Sequence, residues 1–348
     1  MFVFDVGMLP DQYSMLLFHA LAREEIEALV LVSPENPIIS LGYFQDLGGV
    51  DLDYCTKNAI PIMRRELGGG TTLLDRNQIF YQLILKKDNP LLPPSIAELY
   101  QKFSKPVIDT YADLGVKTEF KAVNDIITDA GKKIAGEGGG DIGECTVFVG
   151  GILLDFDFAL MSQVLKVPDE KFRDKMYKTM EENMTTLKKE LGQIPERQMV
   201  IDLLIKNFSK LTGPLTPDMV PEDVWDLARI LGQDFKSREF LHRNSRKQSS
   251  LQIGAGVSMK QGLHKAPGGL VQAVTVIRDG YIESVQLSGD FTFYPKDSLP
   301  LLAAGLQGVK FTSEAVEAEI NQAFMKLNPE MPGVSALDIC QAIFGNKA

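Results

Sequence analysis

The stretch Arg64-Arg65-Glu66-Leu67-Gly68-Gly69-Gly70-Thr71-Thr72, closed by Leu73-Leu74-Asp75, constrains this chain more than any other. The apolar run at 59–63 before it reads as a short strand, and residues 79–86 after it read as the next strand. Three consecutive glycines between two strands let the backbone approach a ligand closely and aim several N–H groups at one anion. Two arginines at the lip would add fixed positive charge, which makes the stretch a phosphate cradle in outline. Taken alone, the triplet also fits a flexible hairpin loop with two solvated arginines.

A second stretch bears on that choice: Asn124-Asp125-Ile126, followed by Gly131-Lys132-Lys133-Ile134-Ala135-Gly136. A lysine between glycines and beside an apolar strand can have its ammonium held in place. Of the two lysines, Lys132 is expected to point the other way along the strand. Together the two stretches resemble the lipoate–protein ligase family, within the wider biotin and lipoate ligases. The family's paired arginines, glycine triplet and apolar run ending in Asp are matched by Arg64, Arg65, Gly68, Gly69, Gly70 and Asp75. Its Asn-Asp strand and Gly-x-Lys-Ile-Ser/Ala-Gly loop are matched by Asn124, Asp125 and residues 131–136. The chain departs from the pattern at Leu67, Leu74 and Val149-Gly150, where the family usually has Ser, His and a pair ending in His.

The resemblance implies an α+β fold, with a large catalytic domain over 1–246, its central mixed sheet flanked by helices, and a small α+β accessory domain over 251–348. It implies an ATP-dependent ligase that activates lipoate as lipoyl-AMP, with Mg²⁺, and passes the acyl group to a carrier lysine. Lys133 would lie against the acyl carbonyl and the α-phosphate, and Asp125, with the metal, would help hold the nucleotide. Contacts to ATP or the adenylate would come from Arg64, Arg65, Gly68, Gly69, Gly70, Thr71, Thr72, Asp75, Asn124, Ile134, Ala135 and Gly136. Gly42, Tyr43, Leu73, Gly151 and Ile152 would line the acyl pocket, although Gly42-Tyr43-Phe44-Gln45 is equally a plain turn that ends a strand. The implied partner is an apo lipoyl carrier, whether an E2 domain, a glycine-cleavage H protein or a specialised lipoate-binding protein, with lipoate or octanoate as the acid and the enzyme a monomer.

Two other functions stay open. An octanoyl- or lipoyl-transferase of the same fold would use a cysteine nucleophile and no ATP, and Cys145 is the candidate, its pKa lowered by nearby Lys133; the other reading of Cys145, and the one preferred, is an inert, partly buried cysteine. A catalytically inactive carrier-binding homologue is permitted by the altered Leu67 and Leu74. A biotin ligase would carry a different glycine-arginine loop.

Composition removes several classes. The formal net charge of −10 opposes general nucleic-acid binding, so an anionic ligand must meet a local basic cluster, for which Arg64, Arg65, Lys132 and Lys133 are the candidates. Cys55, Cys145 and Cys340 lack Cys-x-x-Cys spacing, which opposes a zinc site or a disulfide scaffold. His19, His242 and His264 have no serine–acid partners in view for a hydrolase triad. No apolar run is long enough to cross a bilayer, and residues 1–11 carry an acid and no basic region, so a cytoplasmic protein is expected.

Periodicity predicts helices over 9–28, 96–114, 158–165, 170–191, 198–211 and 222–243, and strands over 28–32, 38–41, 116–122 and 147–156. The glycine-rich 137–143 is expected to be a mobile loop that orders over a ligand. The polar run 242–250 is expected to be a linker about which the accessory domain swings. Beyond it, strands are predicted at 251–259, 270–278 and 281–288, with Asp279-Gly280 as a tight hairpin turn, then helices at 296–305, 312–327 and 335–344.

Overall fold

A computed structural model describes residues 1–10, 12–245 and 256–345. The chain divides into two compact units. One comprises Met1–Leu41, Gly49–Glu66 and Thr72–Phe240, and the other Gly42–Gly48, Leu67–Thr71 and Leu241–Ala348. Position 11 of the helix expected over 9–28, most of the expected linker (246–250) and the first part of the strand expected at 251–259 lie outside the described residues.

The first unit is a mixed α/β structure around a six-stranded sheet. Its strands run in the order Gly138–Ile142, Cys145–Leu153, Gln78–Lys86, Ala28–Pro34, Phe2–Leu9 and Thr216–Pro217. The first three pairings are antiparallel and the last two parallel. All seven residues of Ala28–Pro34 are buried, as the unbroken Ala-Leu-Val-Leu-Val run requires of a central strand covered on both faces. Helix Tyr13–Arg23 occupies the middle of the segment predicted helical at 9–28, because Leu9 and Ala28 pair as strand ends. Helix Ile96–Asp113 starts at Ser95, whose side chain accepts the Glu98 N–H, and buries Ile96, Leu99, Tyr100, Phe103, Val107 and Tyr111 at helical spacing. These join Tyr81, Phe148, Ile134 and Phe208 in one apolar core. The helix predicted over 170–191 is broken into Glu170–Asn183 and Leu187–Leu191, because Thr186 caps the second piece, accepting the Lys189 N–H at 3.3 Å.

The expected mobile loop at 137–143 is instead the edge strand Gly138–Ile142, paired with Cys145–Leu153 from Gly138–Val149 to Ile142–Cys145. A Cβ on Gly139 would stand 3.0 Å from Leu99 Cδ2 and 3.3 Å from Val147 O, so this glycine serves close packing of helix on strand.

The second unit holds the antiparallel sheet Val257–Ala266, Gly269–Arg278 and Tyr281–Gly289. Asp279 and Gly280 have φ of +52° and +82°, the signs that a two-residue turn of type I′ needs. Helices Ser298–Gly305, Ser313–Leu327 and Ala336–Phe344 follow, the last opened by a Ser335–Asp338 capping box. No helix among the described residues is long and apolar enough to cross a membrane.

Candidate active site

Thr118–Lys121, Asp125–Thr128 and Lys133–Gly136 form a small antiparallel sheet in the first unit. Its second hairpin turns at Gly131, whose φ is +74° and whose N–H donates to Thr128 O at 2.8 Å. Asp125 pairs with Gly136 and Ile126 with Ala135, and the register then shifts so that Ile127 faces Lys133. In an unshifted ladder Ile127 would face Ile134, and Lys133 would lie on the opposite side of the sheet. The extra residue, Ile134, turns Lys133 onto the face of Asp125 and Gly136. There Lys133 Nζ lies 2.6 Å from Asp125 Oδ1. A Cβ on Gly136 would stand 2.8 Å from that nitrogen, so the glycine leaves the space that the ammonium fills. The Lys133 and Asp125 side chains are 38% and 33% exposed. A cation held by one carboxylate and still open to solvent can take a second anion.

Glu137, the next residue, enters the core and is 4% exposed. Its N–H donates to Asn124 O at 2.9 Å and its carbonyl accepts from Asn124 Nδ2, so Asn124 closes the mouth of the hairpin. Tyr81 Oη donates to Glu137 Oε1 at 3.1 Å, and Ser104 Oγ lies against Oε2. Ser104 Oγ also lies 2.6 Å from the Tyr100 carbonyl, so its one proton has two acceptors within reach, Tyr100 O and Glu137 Oε2. Burial, with a smaller push from Asp125, raises this carboxyl to about 8 against the pull of Ser104, Tyr81 and Lys133. Gly150 faces Tyr81 across the ladder, and a Cβ there would stand 2.2 Å from the Tyr81 oxygen. Sequence reasoning missed Glu137 because it assigned the residue to a mobile loop. The available signal was an acid directly after the apolar Ile-Ala-Gly.

The two arginines part company. Strand Ile62–Arg64 places neighbouring side chains on opposite faces, and Arg64, expected at a charged lip, is fully buried with Nε donating to Phe240 O at 3.0 Å. Arg65 Nη1 donates to Ser40 O at 3.0 Å and Ser40 Oγ at 3.1 Å, and burial lowers its pKa to about 10, leaving it charged at pH 7. Thr72 Oγ1 donates to Ser40 O at 3.4 Å. Asp75 organises its own turn, accepting from Asn77 N at 2.8 Å and Gln78 Nε2 at 3.3 Å. Leu73 and Ile152 are buried, and a Cβ on Gly151 would meet Phe80 Cε1 at 2.9 Å.

The glycine triplet belongs to the second unit, as do Gly42, Tyr43 and Thr71. Its close approach is to protein backbone: Gly69 N donates to Phe291 O at 3.1 Å, and a Cβ on Gly68 would stand 2.8 Å from the same oxygen. Tyr43 N donates to Leu67 O at 2.9 Å, and the Arg243 guanidinium stands 4.1 Å from the Tyr43 ring centroid. The structure therefore gathers Asn124, Asp125, Lys133, Ile134, Ala135 and Gly136 in one hairpin. Arg64, Arg65, Thr72, Leu73 and Asp75 lie in or beside the sheet of Ile38–Leu41, Ile62–Arg64 and Thr72–Leu74.

Cys145 is fully buried, and its thiol is pushed up to about 11 by burial first and by Glu25, Glu27 and Asp141 after it. This reverses the expected lowering by Lys133; the cation acting on the thiol is Lys86. Cys55 and Cys340 are also buried, with thiols pushed up. Among the described residues no three His, Cys, Asp or Glu side chains gather as a metal site, and one Asp125 oxygen is taken by Lys133.

Residues 12–209 match the family model described as "Lipoyl protein ligase A/B catalytic domain". Lipoate-protein ligase A subunit 1 of Thermoplasma acidophilum is 29% identical over 204 residues, covering 56% of this chain and 76% of the relative. Octanoyltransferase LipM of Clostridioides difficile is 27% identical over 230 residues, covering 59% and 83%. The solved bi-partite lipoate protein ligase of T. acidophilum, described with its E2 lipoyl domain, superposes with a TM-score of 0.62 at 26% identity. That match covers 71% of this chain and 98% of the other.

Proposed function

The chain belongs to the lipoyl protein ligase A/B family, and from that premise we propose that it is an ATP-dependent lipoate–protein ligase. Ligases and octanoyltransferases are both among its relatives, and the two chemistries part at the way the acyl group is activated. A transferase needs a thiolate nucleophile. A ligase starts from a free carboxylate, a poor electrophile, and must convert it with a phosphoanhydride.

The observation that carries the choice is the complete burial of Cys145. Its thiol, pushed up to about 11, would hold roughly one part in ten thousand as thiolate at pH 7. Activation then falls to ATP. A lipoate carboxylate oxygen attacks the α-phosphorus, pyrophosphate leaves, and lipoyl-AMP forms. The neutral ε-amine of a carrier lysine next attacks the acyl carbon, AMP leaves, and the amine's proton passes to solvent. In this reading the Lys133 ammonium, fixed by Asp125, donates to the α-phosphate and acyl oxygens on which charge grows. Leu73 and Ile152, with Gly151, supply an apolar wall for the acyl chain. The described residues do not fit a resident metal site, so magnesium is assigned to the nucleotide as part of the substrate. Catalysis is assigned to the first unit, an accessory role to the chain after residue 251, and the cytoplasm, where ATP and apo carriers are available, to the reaction.

The test is mass spectrometry of apo E2 lipoyl domain and apo glycine-cleavage H protein incubated with lipoate and this protein, with and without ATP. A lipoyl mass gain on one lysine that appears only with ATP, with release of AMP, is expected. Transfer from an octanoylated carrier without ATP, through a thioester on Cys145, would overturn the reading in favour of the transferase.

A further inference from the structure

A buried carboxylic acid is a costly way to fill a core, because an apolar side chain of similar volume packs there without a desolvation penalty. Glu137 nonetheless stands among Tyr81, Ser104 and Tyr111, one residue beyond the glycine that the Lys133 ammonium touches. Its main chain is tied to Asn124 at both N–H and carbonyl. Its side chain reaches strand Gln78–Lys86 through Tyr81 and helix Ile96–Asp113 through Ser104. The room for Tyr81 exists because Gly150 lacks a Cβ. The backs of the neighbouring residues are held too, with Tyr111 Oη donating to Ile134 O at 3.3 Å and Thr185 N to Lys133 O at 2.9 Å.

We propose that Glu137 is a positioning residue for adenylation. Its carboxyl pins the end of the Lys133 strand to Tyr81 and Ser104, and so holds the ammonium where charge develops in the transition state. Hydrogen-bond accounting supports the pin. Tyr81 Oη donates to Oε1 at 3.1 Å, and Ser104 Oγ bonds Oε2. Both side-chain oxygens of Glu137 thereby have a partner, one on the strand and one on the helix. Without the pin, the hairpin keeps its ladder with the preceding strand but loses its side-chain fixing to the core. A misplacement of about 1 Å can cost about 10²-fold in rate. The inference rests on the ligase reading.

The experiment compares the full chain with Glu137→Gln, whose amide reproduces both hydrogen bonds, and Glu137→Met, which fills the volume and makes neither. Lipoyl-AMP formation is followed with saturating and limiting ATP and lipoate. Glu137→Met is expected to lose about 30- to 100-fold in kcat with KM for both substrates nearly unchanged, and Glu137→Gln to stay close to wild type. Hydrogen exchange of Asp125–Thr128 and Lys133–Gly136 amides should quicken in Met alone. A Met variant with wild-type kcat and exchange overturns the inference, as does a Gln variant as impaired as Met. Absence of lipoyl-AMP from the wild type would instead overturn the ligase reading, and the exchange comparison would still decide the pin.

Discussion

Replacing Glu137 by Gln should flatten the dependence of stability on pH between about 4.5 and 8. In the unfolded chain this carboxyl titrates near 4.5, and burial in the fold carries it to about 8. Below the lower value both states hold the proton, and the fold incurs no penalty for keeping the acid neutral. Across the interval the folded chain keeps a proton that the unfolded chain has released, so stability falls as pH rises. The displacement is roughly 3.5 pK units at about 1.4 kcal/mol each, on the order of 5 kcal/mol across the whole window. Glutamine never ionises, and Asp125, Lys133, Tyr81 and Tyr111, which face the site, are present in both proteins. The difference between variant and wild type therefore isolates Glu137. Urea unfolding of the first unit, followed by far-ultraviolet circular dichroism at pH 5, 6, 7 and 8, should show the variant gaining on the wild type with each step. Two curves that stay parallel across these four pH values would refute a neutral buried Glu137.

Lys133→Ala should lower lipoyl-AMP formation by about 10²- to 10³-fold with the melting temperature nearly unchanged, since a half-exposed ion pair contributes little to folding. Gly136→Ala should slow the same step at least about tenfold by placing a methyl group where the ammonium lies, and a crystal structure of the variant should show Lys133 displaced from Asp125. Cys145→Ala should retain ATP-dependent transfer while losing about 1–2 kcal/mol of stability to the small cavity, read from carrier mass and denaturant unfolding. Arg64→Leu should cost about 2 kcal/mol by removing a charge-assisted hydrogen bond to the Phe240 carbonyl and leave the KM for ATP where it was.

Hydropathy made most of the fold legible. The all-buried strand Ala28–Pro34, the amphipathic helix Ile96–Asp113 and the Asp279-Gly280 hairpin each follow from local pattern. The pairing of Asp125 with Lys133 was legible as motif only. What makes it work, a register shift at Ile134, depends on which residue of the facing strand bonds to which, and residue types alone do not specify that. The fate of Arg64 was hidden for a related reason, because one partner of its guanidinium is a backbone carbonyl 176 positions away. The charges around Cys145 were not legible from sequence distance. Lys133 is near in the chain, but the charges that act on the thiol are Glu25, Glu27, Lys86 and Asp141.

Glycine was the residue type most easily misread, because its absent side chain has two opposite uses. A glycine with open space around it adds freedom, whereas one opposite a large neighbour is a cavity shaped for that neighbour. Gly131 is of the first kind, with positive φ and nothing within 4 Å of its missing Cβ, and it turns a hairpin. Gly136, Gly139 and Gly150 are of the second, their missing Cβ positions taken by Lys133, Leu99 and Tyr81. Two of those three neighbours converge on one structure, since Lys133 carries the proposed chemistry and Tyr81 bonds the acid that braces its strand. Gly150, a departure from the family pattern, is thus coupled to Glu137 through the Tyr81 ring. A side chain at 150 would move Tyr81 first and Lys133 through it, so a glycine far from the ammonium in sequence belongs to the machinery that aims it.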